Sequence, residues 1–333
     1  MPLPEQHLQT ALDSMIAAGA AGVLAQYRDG DQVWNGASGV AQLDSPAPVD
    51  PTGSFRAGSI TKTFTATVVL QLAKEGVLDL ADSVERWLPG TVPDGDKITL
   101  LQLLNHTSGL YNYTNDLPDY AGLVRERFLH REPMEAISTA NSHEPLFAPG
   151  DGWSYSNTNY ILLGLVIEAA TGNSYAGEVD KGILSRLGLR QTYVSGDDTT
   201  MPEPHAHGYL PVDGELVDMA ELNATQAWAA GALVSTAADL NRFYAALLTG
   251  ELVDPRELRT TVPTDADNHQ YGLGISRLSL PGLEVWGHSG GIHGYATWSY
   301  HSADAARQLT VSLTTAEVDR PETYDVLVSL LGL

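Results

Sequence analysis

Leu8, Leu12, Met15 and Ile16 recur at helical spacing through residues 5–18 and Gly19 follows as a stop, so the chain is expected to open on an amphipathic helix. The period then changes to two. AGVLAQYR and QVWNGASG flank Asp29-Gly30-Asp31, the pattern of two strands joined by a hairpin. After a loop with Pro46, Pro48 and Pro51, SITKTFTATVVLQLAKEG is apolar on most faces and ends on Gly76, which predicts a long buried helix. Residues 80–260 read as mainly helical with long loops. The clearest helices there are NTNYILLGLVIEAATG, stopped by Gly172, and TAADLNRFYAALLTG, stopped by Gly250. The last stretch returns to alternation: YGLGISRLSL, LEVWGHSG, GYATWSYH and RQLTVSLTTA read as antiparallel strands, before a final helix at about 321–331.

Strands at both ends with helices between them predict an α/β (α+β) fold. Residues 1–76 and 265–333 would build an antiparallel sheet flanked by the N- and C-terminal helices. Residues 77–264 would form an inserted all-helical domain, with a cleft between the two. The 43% hydrophobic content of the 333 residues is ample for a core. Eighteen Lys and Arg against 41 Asp and Glu give a net charge of −23, which speaks against nucleic acid as a partner. Between Arg190 and Arg242 there are acids but no Lys or Arg, a pattern read first as a solvated acidic face. No run of about 18 apolar residues appears, so no membrane span is expected. The N-terminus has neither a basic n-region nor a long apolar h-region, so no signal peptide is expected in the chain as given; the compartment stays open, cytoplasmic as given or secreted if the sequence begins at a mature residue. Without Cys there is no disulfide, thiolate metal site or Cys nucleophile.

Ser59-Ile60-Thr61-Lys62 places a hydroxyl at the start of the buried helix and an amine one turn later, on the same side. A helix N-terminus favours an oxyanion and disfavours a protonated Lys, and burial pushes the amine further towards its neutral, proton-accepting form. Such a pair is a working nucleophile and base, although a Ser N-cap followed by Lys also arises by chance. Tyr155-Ser156-Asn157 follows a Pro149-Gly150 turn and precedes a helix. Its phenol could relay a proton and its amide could orient a carbonyl, or the segment could be only an N-cap with a core Tyr. His288-Ser289-Gly290-Gly291 ends a strand whose glycines admit a substrate backbone and could supply an oxyanion N–H, or mark an ordinary turn. His205-x-His207 lacks a third metal ligand. GHSGG matches the nucleophile-elbow pattern at Ser289 but is followed by a strand where that motif needs a helix.

In this order and spacing the three elements resemble the penicillin-recognising serine hydrolases, with S-x-x-K, Y-x-N and an H-x-G third motif. With NHTSGLYNYTND, APGDGWSYSNTNY and HAHGYL, the likeness is greatest to the serine D-Ala-D-Ala carboxypeptidases related to class C β-lactamases, from about residue 5 to the end. The resemblance implies that Ser59 is acylated, that Lys62 is its proton partner, and that Tyr155 acts as general base and then as acid to the leaving group. It implies that Asn157 contacts the substrate carbonyl and Lys62, that His288 replaces the third-motif Lys, and that the Ser59 and Gly291 N–H groups form the oxyanion hole. Thr114, Trp228, Ser289 and Gly290 match positions near the substrate. The implied ligands are a small peptide, amide or ester, with β-lactams as further candidates, and no metal or other cofactor. Where the carboxypeptidases carry an Arg for the substrate carboxylate this chain has Ser276, with Arg277 one step along on the other strand face, and Gly291 stands in place of Thr. That brings in D-amino-acid amidases and aminopeptidases, esterases and peptide-cyclising thioesterases of the same family, and a non-catalytic sensor of β-lactams or muropeptides as the reading from another class.

Overall fold

In the computed structural model, which describes residues 3–314 and 323–331, the alternating segments pair into one eight-stranded sheet. Its strands are β1 (Gly22–Asp29), β2 (Gln32–Gly39), β3 (Val262–Pro263), β4 (His269–Tyr271), β5 (Ser276–Leu280), β6 (Leu283–Ile292), β7 (Tyr295–Ser302) and β8 (Arg307–Thr314). Their order is β2-β1-β8-β7-β6-β5-β4-β3, and every neighbouring pair is antiparallel. The two ends of the chain therefore meet: Gly22 opposes Thr314 and Asp29 opposes Arg307.

Helix α1 (Glu5–Ala17) lays Leu8, Leu12 and Met15 against Val23, Trp298 and Leu309 of the sheet, beside Val326, Leu327 and Leu330 of the C-terminal helix (Thr323–Leu331). Burying a Leu side chain is worth about 1.5–3 kcal/mol, so the i, i+4, i+7 spacing alone fixes which face of α1 turns inward. The predicted start of the final helix at 321–322 lies outside the described residues.

Helix α2 (Thr61–Lys74) is buried from Thr61 through Leu70. Its four threonines make that possible, because each hydroxyl has a carbonyl partner: Thr61 donates to Gly58 O, Thr63 to Gly274 O, Thr65 to Ala229 O and Thr67 to Thr63 O, each at 2.7 Å. Helices α3 (Asn157–Thr171) and α4 (Ala237–Thr249) end at Gly172 and Gly250 in left-handed conformation, as their sequences predict.

Two expectations are corrected. YGLGISRLSL is not one strand: Tyr271 ends β4, Ser276 begins β5, and the turn between them closes with Gly272 N donating to Ile275 O at 2.7 Å. The alternation is similar on both sides of the turn, so it does not register the reversal. The tip rests on α2, where a Cβ on Gly274 would stand 2.4 Å from Ala66 Cβ. The middle of the chain, read as all-helical, also carries a hairpin of Tyr209–Val212 with Glu215–Asp218, and its Tyr193–Val194 and Leu233–Ser235 pair in a small sheet with Phe55–Arg56.

Candidate active site

Ser59 lies in a single 3₁₀ turn, Gly58–Ile60, that joins the Phe55–Arg56 strand to α2. Lys62, one turn on, is fully buried. Its Nζ stands 3.0 Å from Ser59 Oγ, 2.7 Å from Asn157 Oδ1 and 2.7 Å from Ala230 O. Burial holds the amine well below its usual ammonium range. A neutral amine has two N–H donors and one lone pair. The two carbonyl oxygens take the donors, which leaves the lone pair for the Ser59 hydroxyl.

Tyr155 and Asn157 arrive on the loop that caps α3. Asn157 gives its oxygen to Lys62, and its Nδ2 donates to Thr114 Oγ1 at 3.1 Å and to Asn112 Oδ1 at 3.2 Å, so the amide orientation is fixed from both ends. The ring of Tyr155 lies under the amine, with Lys62 Nζ 5.0 Å from its centroid. Burial raises the phenol pKa and the Ser59 hydroxyl pulls the other way. The phenol thus holds its proton firmly beside an amine that holds one weakly.

The third segment is β6. Strand β5 opposes only Leu283 to Gly287, so from His288 onward that edge of β6 runs past its neighbour. Two glycines let it press on the Ser59 turn. A Cβ on Gly290 would stand 1.9 Å from Ala57 O and 3.0 Å from Ser59 N, and one on Gly58, at φ +54°, would stand 2.7 Å from Gly291 N. The backbones of Ser59 and Gly291 thereby meet at one cavity of about 210 Å³ that both line. Thr114 and Asn157 are in its wall, with Leu117, Leu222 and Ile292.

His288 is buried, and its Nε2 is 2.9 Å from the Tyr271 hydroxyl while Nδ1 faces the Ser289 carbonyl. The carbonyl can only accept, so Nδ1 carries the hydrogen and Nε2 accepts from Tyr271. Burial first, then the nearby Lys62 amine, pushes its pKa down to about 3. His288 therefore offers a neutral dipole where the resemblance implied a replacement for a cation, and its hydrogen-bond partner is Tyr271, not Tyr155. Tyr271 and His106 pack around Tyr155, with ring centroids 6.3 and 4.4 Å from its own. Both stand in motifs that are legible in sequence, YGLG and NHTSG, but nothing local to either marks a contact with residue 155.

Other expected positions lie elsewhere. The Trp228 ring does not line the cavity; it turns inward against Tyr175, at 5.3 Å, and over Gly164, while its neighbour Ala227 does line it. Ser289 alternates with His288 and Gly290 along β6 and shares the Tyr300 hydroxyl with Ser276. A strand runs through it, so it is not on a nucleophile elbow. Arg277 is bound to Glu284 and to Gln270 at 2.8 Å, and is no free clamp for a carboxylate. None of the eight acids between Arg190 and Arg242 lines the cavity; Asp197 reaches its wall through a 3.0 Å bond from Asn223 Nδ2. His205 and His207 stack at 5.0 Å, and among the described residues no group of three His, Cys, Asp or Glu could hold a metal.

The Beta-lactamase family model matches residues 8–329. A D-stereospecific amidohydrolase from Streptomyces sp. superposes with a TM-score of 0.92 at 39% identity, covering 99% of this chain and all of that one. The D-amino acid amidase of Ochrobactrum anthropi SV3, in a structure complexed with L-phenylalanine amide, gives 0.85 at 28% identity over 98% of this chain and 97% of its own. Penicillin-binding protein 4* of Bacillus subtilis (strain 168) is 29% identical over 94% of this chain and 72% of its own length.

Proposed function

The chain belongs to the Beta-lactamase family and is a serine hydrolase, and from that premise we propose that it cleaves amide and ester bonds on the carbonyl side of a D-residue through an acyl-enzyme on Ser59. The observation that carries this reading is the position of Lys62 Nζ, 3.0 Å from Ser59 Oγ with its two donors taken by Asn157 and Ala230. Lys62 takes the Ser59 proton as Oγ attacks the carbonyl carbon. The oxyanion forms between the Ser59 and Gly291 N–H groups. Tyr155, still protonated, gives its hydrogen to the leaving amine or alkoxide and regains one from Lys62. Water then enters by the reverse route and releases the D-acid. This order makes Lys62 the first base and Tyr155 the acid. Thr114 and Asn112 take the two hydrogens of Asn157 Nδ2, which holds Oδ1 turned to Lys62. A β-lactam would enter the same site as an acyl donor. The same proposal divides the chain at the cleft, into 1–76 with 265–333 and 77–264, except that β3 (Val262–Pro263) joins the sheet of the first part.

On the leaving-group side His288 is neutral and Arg277 is tied to Glu284, so neither of these two offers a terminal carboxylate a free cation. A clamp of that kind is worth roughly 1.5–3 kcal/mol, or about 10–150-fold in kcat/KM. D-residue amides and esters are accordingly the proposed substrates, ahead of peptides ending in free D-Ala. The test is a panel of acyl donors with D- and L-residues, each as acid, amide and ester, followed by intact-mass detection of the Ser59 adduct. A D-amide or D-ester turned over at least as well as the free acid supports the reading. A preference of a hundredfold or more for the free acid would overturn the substrate assignment, and absence of any adduct would overturn Ser59 as nucleophile.

A further inference from the structure

His106 presses on the loop that carries Tyr155 and Asn157, and no step above uses it. It is fully buried and holds a left-handed backbone, φ +64°, a conformation uncommon outside glycine and enriched for Asn, Asp and His. Its Nδ1 lies 3.2 Å from Ser156 N and 3.2 Å from Asn159 Nδ2. The Ser156 N–H can only donate, and the Asn159 amide is turned to match, with Nδ2 to the imidazole and Oδ1 to Ser108 Oγ at 2.7 Å. Both groups facing Nδ1 are therefore donors, so Nδ1 accepts and the hydrogen is on Nε2. The imidazole face meets the Tyr155 ring at 4.4 Å, and Tyr271 and Tyr160 hold the ring from other sides at 4.7 and 5.3 Å.

We infer that His106 is a positioning residue for Tyr155: its Nδ1 anchors the backbone one residue past the phenol, its ring face sets the tilt of that phenol, and the two together hold the hydroxyl over the Lys62–Ser59 pair. The inference rests on the reading of Tyr155 as the proton donor. A phenylalanine here would supply the face without the acceptor, and an asparagine the acceptor without the face. The ionisable groups around the imidazole are Lys62, His288, Tyr155, Tyr160 and Tyr271, and burial above all pushes its pKa well below the ordinary histidine value. Protonation at Nδ1 would break both of its bonds at once.

The experiment compares His106→Asn and His106→Phe with the wild type for single-turnover acylation of Ser59 by an activated D-residue ester, with kcat, KM and melting temperature measured in parallel. His106→Asn keeps an acceptor near Nδ1 and suits the left-handed backbone, and should stay within about tenfold of wild type. His106→Phe should lose about 10²-fold in kcat with KM little changed, the scale of a misplaced reacting group. Acylation of His106→Phe at the wild-type rate would overturn the inference, as would equal losses in both variants that follow melting temperature with kcat and KM moving together. Should His106→Phe not fold, ¹⁵N spectra of histidine-labelled wild type decide, with His106 assigned by its loss in His106→Asn. A hydrogen fixed on Nε2 across about pH 5–8 is required, and a hydrogen on Nδ1 or a titration in that range overturns the role. Loss of acylation in the wild type itself would instead overturn the function proposed for Ser59.

Discussion

Gly290→Ala should disable acylation without touching any ionisable group. The added Cβ would stand 1.9 Å from Ala57 O, whereas carbon and carbonyl oxygen meet at about 3.3 Å, so the β6 backbone must move away from the Ser59 turn by roughly 1.4 Å. Backbone on both sides blocks the cheaper escape of turning a side chain. The same displacement separates the N–H groups of Ser59 and Gly291, which must point at one oxygen from about 3 Å. Losing one such donor costs about 10²–10³ in kcat, so the expected fall in acylation rate is of that size. The overpacking itself should cost about 1–3 kcal/mol of stability. Stopped-flow or quenched-flow acylation with an activated D-residue ester, beside a denaturant melt, separates the two effects. A folded Gly290→Ala protein that acylates at the wild-type rate would refute the argument that the Ala57–Gly290 contact sets the oxyanion geometry.

Three further outcomes are expected. Ser59→Ala should abolish the covalent adduct while Ser289→Ala retains it, read by intact mass; an adduct surviving in Ser59→Ala would move the nucleophile. Lys62→Met should lower acylation by about 10²–10⁴-fold and also stabilise the fold near neutral pH: the folded pKa is depressed by burial, so the unfolded chain binds the extra proton and folding is penalised at pH values below the unfolded Lys range. A melting temperature lowered by this change would contradict that sign. His106, His288 and His301 are all held below the ordinary histidine pKa by burial, so each takes up a proton on unfolding as pH falls below about 6.5, and stability should decline from there towards pH 3. His301→Gln, outside the cleft, should flatten that slope and leave the acylation rate unchanged; a slope unaltered by the change would show that its proton uptake is not linked to folding.

The sequence by itself determined the elements whose signal is local. The face of α1, the N-terminal hairpin, the glycine ends of α3 and α4 and the Ser59–Lys62 spacing all follow from periodicity or from one helical turn, where neighbours in space are neighbours in the chain. The motif set also carried the family, because its three elements recur in a fixed order. The tertiary structure decided whatever depends on contacts between distant segments. The reversal inside YGLGISRLSL goes unseen because alternation is the same on either side of a tight turn. The resemblance implied a place for Trp228 near the substrate, yet its ring packs against Gly164, where the missing side chain leaves room for it. His288 stands at the expected position, but its charge does not: neutrality follows above all from burial, and the Tyr271 hydroxyl that its Nε2 meets comes 17 residues earlier and across two strand reversals. His106 meets Tyr155 across 49 positions for the same reason, and the oxyanion pair is set by a backbone approach that two glycines permit and only the packing of β6 on the Ser59 turn enforces. Electrostatic state and angstrom-scale placement are properties of the folded environment, since they depend on what excludes water and what lies on the other side of a contact.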